Sequence, residues 1–101
     1  MSINKQDNLT KALVCHRKGE IDYAIALYNL ILRETPDNSD VLHNLGLIAI
    51  FRNKNQTAIS FFRKALTLNI NKKNYWYSYI DALLDGGKLE NIGDIISLAK
   101  S

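Results

Sequence analysis

The chain has 101 residues, 47% of them apolar and 23% charged, and a formal net charge of +3. That balance belongs to a soluble globular domain and excludes a disordered chain. A single cysteine, Cys15, excludes an internal disulfide framework or a multi-cysteine metal site, and no apolar run reaches the roughly 20 residues that span a bilayer.

Met1–Asn8 holds no apolar core of the kind a signal peptide needs, so a cytoplasmic protein is expected. From Leu9, apolar residues recur at helical spacing through Ala12, Leu13 and Cys15, and Lys18-Gly19 supplies a left-handed stop. A second helix begins near Ile21 and carries Tyr23, Ala24, Leu27, Tyr28, Ile31 and Leu32. It ends before Thr35-Pro36, because proline pushes the residue before it out of the helical region. Asp37-Asn38-Ser39-Asp40 offers capping chemistry for a third helix, lined by Val41, Leu42, Leu45, Ile48 and Ala49 and ending at Arg52-Asn53. Asparagine tolerates the left-handed region, so Asn53 can take the place of a glycine. Ala58, Ile59, Phe61, Phe62, Ala65, Leu66 and Leu68 line a fourth helix. Tyr75, Trp76, Tyr79, Ile80, Leu83 and Leu84 line a fifth, which stops at Gly86-Gly87, and Leu89, Ile92, Ile95, Ile96 and Ala99 line a sixth.

These helices are not independent. Gly19, Asn53 and Gly87 stand one constant interval of 34 residues apart, and the segment after each is a variant of the same pattern. A period in that range marks stacked units, each too small to bury its apolar face alone. The middle unit resembles the tetratricopeptide repeat on the strength of Leu42, Leu45, Gly46, Ala58, Phe62 and Ala65, with Ile70 where the family often has proline. The first unit matches through Ala12, Gly19, Ala24, Tyr28 and Pro36, and departs at Asn8, Lys11 and Ile31. The third matches through Trp76, Gly87 and Ala99, but puts Ile80 and Ile92 where two small residues belong.

The resemblance implies an all-α fold, a right-handed α-solenoid of three antiparallel helix pairs and six helices. It forms one domain over residues 1–101, with repeats at about 5–38, 39–72 and 73–101, the last incomplete. Ala12 with Ala24, and Gly46 with Ala58, should let paired helices approach closely, whereas Ile80 against Ile92 should open the third crossing. Trp76 and Tyr79 should be core residues of the third unit.

The resemblance also implies a function, that of a protein-interaction scaffold. The first helices of the units should line a concave groove that receives a peptide or partner segment. Its expected lining is Leu13, Arg17, His43, Asn44, Leu47, Ile50, Phe51, Tyr77, Asp81 and Asp85, apolar at the centre and acidic at the far wall, which favours partners with some positive charge. Leu47, Phe51, Tyr77 and His43 are the expected anchors. The subtype that clamps acidic chaperone tails is excluded, because its cations would fall at Leu9, Asn74 and Ser78.

An alternative is a recognition appendage of a larger enzyme. Tyr75–Leu84 resembles the final repeats of bacterial arrays that precede glycosyltransferase or sulfotransferase domains. A weaker alternative is nucleic acid. Residues 51–74 hold Arg52, Lys54, Arg63, Lys64, Lys72 and Lys73 without an acid, a band that ordinary solvated helix faces also explain. The last helix carries Leu89, Ile92, Ile95 and Ile96 with no polar cap after it, so the expectation is either a longer protein or a homo-oligomer covering the terminal helices. Cys15, His16 and His43 have neither the spacing nor the acidic partners of a catalytic or metal site. No enzyme activity, metal, cofactor or membrane association is expected.

Overall fold

The computed structural model describes residues 5–85, with side chains from Asp7 to Leu84. Five helices follow one another: α1 (Lys5–Lys18), α2 (Ile21–Glu34), α3 (Ser39–Phe51), α4 (Asn55–Leu68) and α5 (Lys73–Asp85). The architecture is all-α, and each helix packs against its neighbours in chain order as stacked pairs do. The sixth helix expected around Leu89–Ala99, the Ile80–Ile92 crossing and Gly87 lie outside the described residues.

The two turns within the helix pairs are the same object, built 34 residues apart. Gly19 has φ +84° and Asn53 φ +61°. Each donates its N–H to the carbonyl three residues back, Gly19 to His16 at 3.1 Å and Asn53 to Ile50 at 3.0 Å. The next residue then reaches five back, Glu20 to Cys15 at 2.9 Å and Lys54 to Ala49 at 2.8 Å. This bond pair satisfies the last orphan carbonyls of a helix and requires a left-handed residue at its centre. A Cβ on Gly19 would meet nothing within 4 Å, so the demand there is conformational and not steric.

The turns between pairs are held differently. At Thr35 both the N–H (2.8 Å) and the hydroxyl (2.9 Å) donate to Ile31 carbonyl, and Pro36 follows. Asn38 then caps α3 by accepting from Val41 N–H at 3.2 Å. The second such turn lacks proline. There the Trp76 indole N–H donates to Ile70 carbonyl at 2.7 Å, tying the turn to the helix that follows it.

Two apolar clusters form the core. Ala12, Ala24, Tyr28 and Ile31 of the first pair close on Val41, Leu45 and Ile48 of α3. Leu42 and Ala49 of α3 face the other way, joining Ala58, Ile59, Phe62, Ala65 and Leu66 of α4 with Tyr75, Tyr79, Ala82 and Leu83 of α5. Helix α3 is therefore packed on two sides, which explains why its buried apolar residues do not fall on a single face. Gly46 answers to Phe62: a Cβ there would lie 2.6 Å from Phe62 Cδ1 and closer still to Cε1. The missing side chain makes room for a ring one helical turn beyond the Ala58 that was expected to face it.

In the third unit Tyr79 is the core residue expected, Tyr75 joins it, and Trp76 packs at the edge of the same cluster. Tyr75 and Tyr79 are completely buried, while Trp76 is only partly so. Tyr75 stands one period after Val41, also completely buried, and both press back onto the preceding helix pair. Tyr75 is thus a seam residue between pairs.

Candidate binding groove

Helices α1, α3 and α5 share one face, and α3 sits at its centre. Because α3 spends Val41, Leu45 and Ile48 on one neighbour and Leu42 and Ala49 on the other, its remaining side carries Leu47 and Phe51 toward solvent, with Ile50 half-buried beside them. Phe51 is 76% exposed and Leu47 38%.

Two clefts flank this ridge. The first, about 420 Å³, lies between the C-terminal ends of α1 and α3 and is lined by His16, Arg17 and Ile21 on one side and Leu47, Ile48 and Phe51 on the other. The second, about 170 Å³, lies between α3 and α5 and is lined by Leu47, Ile50, Phe62, Ser78, Asp81 and Ala82. Leu47 belongs to both.

The expected groove residues divide accordingly. Arg17, Leu47 and Phe51 gather in the first cleft, and Leu47, Ile50 and Asp81 in the second. Leu13 and Tyr77 are exposed but line neither. Asn44 is half-buried, with its side chain turned toward the Tyr28 hydroxyl. The side chain of Asp85 lies outside the described residues.

His43 is placed otherwise than an anchor would be. It is 7% exposed, stacks on Tyr75 with centroids 4.8 Å apart, leans on Phe62 at 5.4 Å, and shares a 2.8 Å hydrogen bond with Ser78 Oγ. Its ring is a filler of the seam between α3 and α5, so it cannot present itself to a partner. Burial pulls its pKa below the usual histidine value, Asp40 works against that and Lys72 adds to it. The Tyr75 hydroxyl beside it donates to Asp40 and is hydrogen-bonded to the Ser39 hydroxyl at 3.0 Å. Burial, then the Asp40 contact, pushes that phenol up to about 12.

His16 sits in the first cleft with Nδ1 3.1 Å from the Tyr28 hydroxyl, and burial lowers its pKa also. The two histidines occupy different seams. Among the described residues no three His, Cys, Asp or Glu side chains converge as a metal site requires. The cations of the 51–74 band are spread over several elements and partly engaged. Arg52 pairs with Asp22 at 2.8 Å, Lys72 with Asp40 at 3.5 Å, and Arg63 donates to the Tyr79 hydroxyl at 3.4 Å.

Ile21 and Ile48 are cleft residues that the sequence did not single out. The repeat pattern assigns the groove to first helices alone, whereas Ile21 opens α2 and reaches the cleft because the Gly19 turn is so tight. Among the described residues no helix is long and apolar enough to cross a membrane.

Comparison with known families agrees with this geometry. Residues 39–71 match the family model of the tetratricopeptide repeat, a span that covers α3, the Asn53 turn and α4. No curated protein matches the chain.

Proposed function

From the premise that this is a tetratricopeptide-repeat chain, whose residues 39–71 carry the family pattern, we propose that it is a protein-interaction module holding a peptide segment against α3. The observation that carries this reading is the third side of α3. A helix packed on two sides by other helices still presents Leu47 and Phe51 on its remaining side, between two clefts. Burying one such side chain contributes roughly 1.5–3 kcal/mol. Two anchors together offset several residues' worth of ordering entropy, at about 1–2 kcal/mol each. The affinity expected is the weak one of a short linear segment.

Exchanging Leu47 and Phe51 together for Ser tests the site. Random peptides displayed in a library and selected on the wild-type protein should lose at least tenfold in affinity for the double variant, while its far-UV circular dichroism stays the same. Equal recovery by both proteins would refute the assignment.

A further inference from the structure

The two clefts carry opposite charge, and that narrows what can lie in them. At the first, Arg17 is exposed and pairs with no acidic side chain among the described residues. His16 beside it is neutral at neutral pH, since burial disfavours its charged form, so the cation at that end is the guanidinium. The nearby Asp22 is already engaged by Arg52. At the second cleft Asp81 is exposed and pairs with no cation among the described residues.

Leu47 lines both clefts, so an occupant of both must cross it. Packed helices lie about 8–10 Å apart, so the passage from α1 across α3 to α5 is about 16–20 Å. Extended chain rises about 3.3 Å per residue, which makes that distance five or six residues.

We propose that the groove takes an extended peptide with an acidic side chain at one end, a basic side chain about five residues away, and an apolar residue between them over Leu47 and Phe51. The inference rests on the groove reading above and adds polarity and spacing to it. Arg17 receives the carboxylate and Asp81 the cation, which fixes the direction of the chain. Both pairs are open to solvent, so they select among apolar peptides more than they strengthen binding, and reversing one charge should change affinity about five- to tenfold.

The test uses the whole protein and random displayed peptides. Peptides that bind the wild type and fail on the Leu47→Ser, Phe51→Ser double variant are measured by fluorescence anisotropy against Arg17→Glu and Asp81→Lys. The expected peptides hold an Asp or Glu and a Lys or Arg about five positions apart around an aliphatic or aromatic residue. Arg17→Glu should weaken them about five- to tenfold, with recovery when the peptide's acid is changed to Lys, and Asp81→Lys should do the converse. Groove-dependent peptides without paired charges, or with equal affinity for both charge variants, overturn the inference and leave the groove reading standing. Peptides that bind the double variant undiminished overturn the groove reading itself, as does a library from which the wild type selects nothing.

Discussion

Replacing Gly46 by Ala sets two effects of opposite sign against each other. By helix propensity alone the change should stabilise α3 by about 1 kcal/mol. The structure argues the reverse. The new Cβ would stand 2.6 Å from Phe62 Cδ1, with Cε1 nearer still, whereas carbon atoms pack best at about 3.5–4.0 Å. The ring would have to retreat by roughly 1 Å, and it is completely buried in a cluster with Tyr75 and Tyr79. Overpacking of this kind costs about 1–3 kcal/mol. With so little room for the ring the cost falls in the upper half of that range, about 2–3 kcal/mol, and after the propensity gain the net effect should be a loss of about 1–2 kcal/mol. Urea unfolding followed by circular dichroism should show a midpoint lower by about 1 M for a chain of this size. Phe62→Leu, costly alone, should cost less when combined with Gly46→Ala, with a coupling energy of at least ~1 kcal/mol. A Gly46→Ala protein as stable as the wild type, or additive behaviour in the cycle, would refute the close approach of Gly46 and Phe62.

Two other outcomes follow from single contacts. His43 and His16 both have lowered pKa values in the fold, so below about 6.5 the unfolded chain binds more protons than the native one. Stability should therefore be full above that pH, decline as pH falls through the folded-state values and then level off. His43→Gln should flatten part of the decline in a series of urea midpoints, and an unchanged slope would count against the buried ring. Trp76→Phe keeps an aromatic ring at the position but removes the donor to Ile70 carbonyl and the second ring of the indole, and should cost at least about 1 kcal/mol in the same assay. No loss would mean that the turn does not depend on the indole.

The features legible in the sequence are those with local causes. Gly19 and Asn53 announce left-handed turns because few residues tolerate them, and Pro36 announces an end because it forbids continuation. The alternation of Val41, Leu45 and Ile48 with Leu42 and Ala49 is visible as a helix with too many apolar residues for one face. What was not legible depends on contacts between pairs. His43 looks like a polar groove residue until Tyr75, one period later, stacks on it and Ser78 bonds it. Tyr75 looks like one aromatic among four, and only its register with Val41 separates it from the exposed Tyr77. Ile21 enters the first cleft by the geometry of the preceding turn, which apolar periodicity does not report.

The division of α3 between the two clusters bears on how the molecule comes apart. Leu32 and Phe61 also touch both clusters, so neither can lose its packing without exposing a wall of the other. Stacked-pair proteins often unravel piecemeal, because each unit leans only on its neighbours. In this chain the central helix makes the neighbouring units share one fate. A ligand lying across α3 would therefore brace the whole described stack, and its binding energy would appear as resistance to global melting and not only at the face it covers.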